Sequence, residues 1–296
     1  MTIPRWPSLA DQYAVARQLY GDPGRRLVDE WLAVQTSRVN DPQFAAEFRE
    51  VRLPGVAEGD FAHRIVGSRR GTLLGGIRFY GRDIARPFVE VIGHDFDDLD
   101  ALRDCVRAEW STFAPHSLRL WGAPGRITGT GVATDCTLHA ARCRDTSADD
   151  GRVGLGWFGD DGDAVRFVER VFGELATADP ALRRNVSPAA PDDLRRWHAD
   201  RRLHAMRVGG RPVGVLAITA GAINWLPGYE IQEEVVDPAH RGQHYAASAQ
   251  ASWAHTFGEP DRLLIGTIDG LNTASRRTAV RAGRPAVLES VFLALA

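Results

Sequence analysis

The order helix, hairpin, strand, helix, strand occurs twice along these 296 residues, at a repeat distance of roughly 150 residues. Such an order restricts the chain more than composition does, because each copy brings its own strands and the helices to cover them. In the first copy, residues 11–20 and 25–36 carry apolar residues at three-to-four spacing, broken by Asp22-Pro-Gly24. That spacing predicts two helices. Residues 63–67 and 72–80 flank the polar turn Ser68-Arg-Arg-Gly71 and read as a hairpin, with a further strand at 87–92. Residues 97–113 place Leu99, Leu102, Val106 and Trp110 on one helical side and open with acids, which suit the positive helix end. A strand at 118–121 closes the copy.

The second copy predicts helices at 163–176 and 192–198. A hairpin follows at 204–219 around Gly209-Gly210, then a strand at 229–236. Residues 243–257 read as a helix with Tyr245, Ala246, Ala249, Trp253 and Phe257 on one face. A strand at 262–268, a helix at 273–282 and a β-like end at 286–295 complete it. The expected fold is α+β. It comprises two domains, 1–147 and 148–296, each a mixed, mostly antiparallel sheet flanked by helices. The boundary is placed in the polar stretch 145–152.

Bulk properties narrow the function classes. Hydrophobic residues at 44% and charged residues at 25% suit a globular protein with buried cores. A net charge of −2 gives no electrostatic footprint for nucleic acid or an anionic membrane, so neither is expected as a partner. The N-terminus lacks a basic segment followed by an apolar one, and no apolar run nears the ~20 residues of a membrane span. A cytoplasmic location is therefore expected. Cys105, Cys136 and Cys143 show no CxxC spacing, which predicts reduced thiols and no metal site. All 36 basic residues are arginine, so any chemistry here has no lysine nucleophile.

The most specific local pattern lies at residues 230–242. An apolar strand ends in Val236-Asp-Pro, runs through Arg241-Gly242, and leads directly into a helix. Backbone N–H groups in a first helical turn lack intrahelical partners, and the helix dipole favours an anion there. Gly242 allows close approach of a ligand to the backbone.

The segment Val236-Asp-Pro-Ala-His-Arg-Gly-Gln-His-Tyr-Ala246 resembles the acyl-CoA-binding motif of the GNAT superfamily, the Gcn5-related N-acetyltransferases. The later segment Asn272-Thr-Ala-Ser-Arg-Arg-Thr-Ala-Val-Arg-Ala-Gly283 resembles the motif that follows it in that family. The resemblance covers residues 150–296 and implies two GNAT-like domains, the second carrying the acyl-CoA site and the first degenerate. Arg241, Gly242 and the backbone amides of Gln243, His244, Tyr245, Ala246 and Ala247 would then hold a pyrophosphate. Val235 and Val236 would pair with pantetheine amides. Asn272 would bond the CoA arm, with Ser275 beside it and Arg276 and Arg277 within reach of phosphates. Three positions depart from the family pattern: His244 replaces the central glycine, Arg284 replaces the phenylalanine after Gly283, and Ala279 replaces the usual tyrosine acid.

The resemblance implies acetyl-CoA, or another acyl-CoA, as co-substrate and a small-molecule primary amine as acceptor. Attack would be direct, with a carboxylate as general base. Glu230 falls where family members place such a base, with Glu233 second and Glu234 third. Strict strand alternation puts Glu230 and Glu234 on one face and Glu233 on the other unless a bulge intervenes. Trp225 is a candidate wall for the acceptor or plain packing. In the first copy the matching turn, Asp95-Phe-Asp-Asp98, is acidic and would repel a pyrophosphate. Two alternatives stand beside this reading: a non-catalytic CoA-binding sensor or regulatory protein, and acetylation of a protein amine. Homodimerisation through the C-terminal strands is also possible.

Overall fold

Hydrogen bonding and burial turn these patterns into elements that differ from the expectations mainly where polar residues lie inside. The structure is a computed structural model describing residues 6–295. Residues 1–5, which were read for a leader segment, lie outside the described residues.

The helices α1 (Ala10–Tyr20), α2 (Gly24–Ser37) and α3 (Pro42–Ala45) come first. Strands β1 (Arg64–Ser68), β2 (Gly71–Phe79) and β3 (Pro87–His94) precede α4 (Leu99–Glu109), β4 (Ser117–Gly122) and β5 (Val132–Arg142). Then follow β6 (Gly154–Gly156), α5 (Asp161–Ala178), α6 (Pro180–Asn185), α7 (Pro191–Ala199), β7 (Leu203–Val208), β8 (Arg211–Ile223) and β9 (Leu226–Val236). The chain ends with α8 (Tyr245–Thr256), β10 (Leu263–Asp269), α9 (Thr273–Arg281) and β11 (Ala286–Ala294). The fold class is α+β, as expected.

Two compact units emerge. One runs up to Cys136 and takes the segment from Leu288; the other is Thr137–Val287. The division falls inside β5 rather than in the polar stretch at 145–152. The reason is that β5 begins in one unit and ends in the other, and β11 does the reverse. Strand β5 escapes a hydrophobic-pattern reading because Asp135, Thr137 and His139 are buried polar residues. Each has a partner: Ser290 Oγ donates to Asp135 (2.9 Å), and His139 bonds Thr137 and the Arg284 carbonyl (3.0 Å each).

In the first unit β1, β2 and β3 are antiparallel neighbours, β3 and β4 are parallel, and β4 is antiparallel to β11. Ile77, Val89, Leu118 and Val291 share a core with Leu102, Val106 and Trp110. In the second unit β6, β7, β8 and β9 are antiparallel neighbours, and β9 pairs β10 in parallel. One sheet face packs on α5 and α7 through Val215, Ala217 and Val235. The other packs on α8 through Leu216, Ile218, Tyr229 and Trp253.

Helix α8 is not the one-sided amphipathic helix its sequence suggested. Ala247–Ala254 are all buried, which its alanines and serines permit by letting neighbours approach closely. Phe257, expected on the packed face, is instead 44% exposed. Residues 221–228, which lie between the strands expected at 204–219 and 229–236, are a hairpin end: β8 and β9 stay paired to Ile223↔Leu226, and Asn224 turns the chain with φ +54°.

Candidate functional site

Strand β9 and its two neighbours set the geometry of the second unit's site. The parallel ladder with β10 covers Tyr229 and Glu230 opposite Leu264 and Ile265. Beyond that pair β9 continues beside β8 as far as Val236, while β10 diverges from it. The result is a splay with Glu230 at its vertex. Against β8, Ala217 lies opposite Glu233 and Ile218 opposite Ile231. Gln232 is therefore an extra residue, a β-bulge, and its Nε2 donates to Thr219 Oγ1 (3.0 Å).

The bulge corrects the facial assignment of the glutamates. Tyr229 and Ile231 belong to the α8 side, so alternation turns Glu230 toward the α5–α7 side. Skipping Gln232 puts Glu233 on that same side with Val235, and Glu234 on the α8 side with Val236. Glu230 and Glu233, not Glu230 and Glu234, share a face. Glu233 is buried; Ala189 N–H donates to its Oε2 (2.8 Å) and Glu234 N–H to its Oε1 (3.2 Å). Burial pushes its carboxyl up to about 7, against the pull of those two donors. The Glu230 carboxyl is also raised by burial, with Gln232 opposing. Glu234 is held by Gln250, whose Nε2 donates to both its oxygens (2.8 and 2.9 Å). Burial raises it to about 6.

At the open end of β9 the chain is pinned before it turns. Asp237 accepts from Ala239 N–H (2.9 Å) and from Arg170 Nη2 on α5 (2.6 Å). Gly242 has φ +79°, a conformation that costs a residue with a Cβ about 1–2 kcal/mol. His244, at the position where the motif it resembles has a glycine, also adopts the left-handed region, with φ +64° and ψ +17°. The backbone thus keeps the glycine-like shape, and the imidazole meets Arg281 on α9. His244 is the N-cap of α8 without a side-chain cap bond. The first helical bond after the turn runs from Ser248 N–H to the His244 carbonyl (3.1 Å). The amides of Tyr245, Ala246 and Ala247 therefore have no acceptor within the helix. Arg241, Gly242, Gln243 and His244 are exposed. Together these groups make a cradle in which an anion could sit.

Across from it, Asn272 caps α9 through Oδ1, which accepts from Ser275 N–H (3.0 Å). Arg276 donates to Thr273 Oγ1 (3.2 Å), and Arg277 is exposed. Arg281, which no motif singled out, is the arginine that reaches the cradle's own residues. Trp225 is 4% exposed and lies in the turn between β8 and β9.

The first unit repeats the scaffold with different chemistry. Its bulge leaves Ile92 unmatched between Leu74↔Gly93 and Gly75↔Val91, and its parallel ladder ends at Glu90↔Arg119. Glu90 therefore corresponds to Glu230, two residues before the bulge in each case. Here Arg119 pairs with that carboxylate. The helix N-terminus differs too: Asp98 caps α4 by accepting from Asp100 N–H (3.0 Å). An internal carboxylate satisfies what α8 leaves to backbone amides. A cavity of ≈ 300 Å³ lined by Asp11, Ile92, His94 and Trp121 lies in this unit.

Among the described residues, no group of three or more His, Cys, Asp or Glu is placed to hold a metal ion. No helix among them is long and apolar enough to cross a membrane.

No protein-family model matches the chain, and no curated protein matches it. Solved structures do. A GNAT-family acetyltransferase from Colwellia psychrerythraea is 12% identical, with 84% of this chain and 93% of that one covered and a TM-score of 0.48. A GCN5-related N-acetyltransferase from Sphaerobacter thermophilus is 14% identical over 98% of this chain and 92% of that one, again at 0.48. A functionally unknown conserved protein from Staphylococcus epidermidis is 13% identical over 83% of this chain and 96% of that one, at 0.42.

Proposed function

We propose that the second unit is an acyl-CoA-dependent N-acyltransferase that moves an acetyl group from acetyl-CoA to the primary amine of a small molecule. The observation that carries this reading is the splay of β10 from β9 immediately after Glu230, with the amide cradle of α8 at its open end. A slot bordered by a free strand edge suits an amide-bearing arm, and a helix N-terminus suits its phosphates. The residues present fit such a donor. Gly242 and the amides from Gln243 to Ala247 take the pyrophosphate, with Arg241, Arg276 and Arg281 supplying charge. The edge of β9 at Val235 and Val236 takes the arm, and Asn272 with Ser275 borders it. When bound, acetyl-CoA supplies an acyl group activated as a thioester.

Glu230 is the general base. It lies at the vertex, is half-buried, and has a carboxyl raised by burial, which brings its proton affinity nearer that of an amine in water. It takes one proton from the substrate ammonium. The amine nitrogen then forms the new bond to the acyl carbon, the carbon–sulfur bond breaks, and the electron pair stays on sulfur. The remaining surplus proton of the nitrogen leaves with sulfur as the thiol. Ala279 offers no proton for this step. Glu233 shares the face of Glu230 but is committed to the Ala189 and Glu234 amides, so it orders the segment before α7. Glu234 faces α8 and takes no part in proton transfer. Positioning the two reactants is worth up to ~7–11 kcal/mol and the base perhaps 10²–10⁴-fold.

Thermal shift with acetyl-CoA, followed by thiol release with a panel of primary amines, tests the reading. Stabilisation by the ester and amine-dependent thiol release are expected. No stabilisation by any CoA ester would overturn it, and stabilisation without release for any amine would leave a CoA-binding sensor.

A further inference from the structure

A charged residue, Arg284, follows the second motif's Gly283. Arg284 is 2% exposed, among the largest side chains buried in the protein. Its backbone N–H donates to the Ala279 carbonyl (2.9 Å), so the chain leaves α9 with the side chain directed inward. Nε donates to Gln250 Oε1 (3.0 Å), and Gln250 in turn donates to Glu234. An amide thus bridges a buried cation and a buried carboxylate, which offsets the cost of burying either one alone.

Nη1 is different: it has no hydrogen-bond partner among the described residues. Its position is fixed by Gly266. A Cβ built on Gly266 would lie 3.4 Å from Nη1 and 3.8 Å from the Ile231 Cβ. Gly266 and Ile231 are the residues that follow the last β9–β10 pair, Ile265↔Glu230. The donor therefore sits at the vertex of the splay, on the α8 side, with Glu230 on the other. A buried N–H left without an acceptor is costly, a cost removed when a ligand oxygen meets it.

We infer that Arg284 is a catalytic residue of the proposed acyl transfer, its Nη1 donating to the carbonyl oxygen of the thioester held in the splay. The inference rests on the acyl-CoA reading above. When the amine adds, the carbonyl π electrons move onto that oxygen. They return as the carbon–sulfur bond breaks, and Arg284 keeps its protons throughout. A preformed donor at a developing oxyanion in a water-poor site is worth far more than the same bond in water. Burial lowers the guanidinium to about 10, with Glu234 opposing, so it stays protonated at neutral pH. A fixed positive charge near the sulfur also favours departure of a thiolate where Ala279 supplies no acid.

The experiment reads the carbonyl directly and needs no acceptor. Isotope-edited infrared spectra of bound [1-¹³C]acetyl-CoA are recorded for the wild type, Arg284→Met and Gly266→Ala, beside calorimetric affinities for CoA. The wild-type carbonyl band is expected below that of free acetyl-CoA, and both variants return it toward the free position with CoA affinity within about threefold. With an active amine, turnover falls about 10²–10³-fold in Arg284→Met. Arg284→Met strands Gln250 and Glu234, so Gly266→Ala decides if that variant does not fold: its added methyl lies 3.4 Å from Nη1 without a clash and covers that donor. An unshifted wild-type band, or a shift kept in a folded variant set, overturns the inference while leaving acyl-CoA binding intact. Failure of the wild type to bind acetyl-CoA removes the underlying reading instead.

Discussion

Glu233→Gln separates a buried carboxylate's electrostatic cost from the bonds it makes. In the folded protein burial raises the Glu233 carboxyl from the ordinary 4.5 to about 7. Between those values the native state holds a proton that the unfolded chain has released. This group's stabilising contribution is thus fully present below pH 4.5 and is lost as pH rises through 7. The loss is about 3.5 kcal/mol, from a displacement of about 2.5 pH units at about 1.4 kcal/mol each. The glutamine variant stays neutral throughout but sets its amide N–H₂ against one of the two backbone donors, Ala189 N–H or Glu234 N–H. That forfeits one hydrogen bond, about 1 kcal/mol. The variant should therefore be less stable than the wild type near pH 4.5 by about 1 kcal/mol and more stable at pH 8 by about 2.5 kcal/mol. Urea unfolding at half-unit pH steps measures the difference, in which groups common to both proteins cancel. Parallel stability curves from pH 4.5 to 8 would refute the assignment of a buried, proton-retaining Glu233.

Three further outcomes are expected. Glu230→Gln lowers turnover about 10²–10⁴-fold and abolishes the low-pH limb of the rate profile, whose inflection in the wild type lies above 4.5 because burial raises that carboxyl; steady-state rates from pH 5 to 9 check this. Gly242→Ala destabilises by about 1 kcal/mol because φ is +79°, and it weakens acetyl-CoA binding measured by calorimetry even though an added Cβ meets nothing within 4 Å. Asp98→Ala and Asn272→Ala each remove an N-cap and cost about 1 kcal/mol in urea unfolding, but only Asn272→Ala weakens acetyl-CoA binding.

Most individual elements are legible in the sequence. The hairpins around Ser68-Arg-Arg-Gly71 and Gly209-Gly210 and the helices beginning at Gly24 and Thr273 are carried by local periodicity and turn chemistry, and they form close to where the sequence places them. Strand β5 was invisible for the opposite reason. Asp135, Thr137 and His139 look like surface residues until Arg119, Ser290 and Arg284 are seen to satisfy them. The same holds for Arg284, whose charge suggests a solvated turn but whose partners Gln250 and Glu234 bury it.

The sequence by itself determined the two-fold order of elements, the α+β class and the strand–turn–helix that leaves amides free at α8, because each depends on residues adjacent in the chain. It also placed a carboxylate near the end of β9. Only the tertiary structure decided which glutamates share a face, since the bulge at Gln232 exists only in register with Ala217 and Ile218 on β8. It alone gave the terminal segment from Leu288 to the first unit and set the Arg284 guanidinium beside Gly266. Those outcomes depend on pairings between residues far apart in sequence, where neither periodicity nor turn propensity carries information.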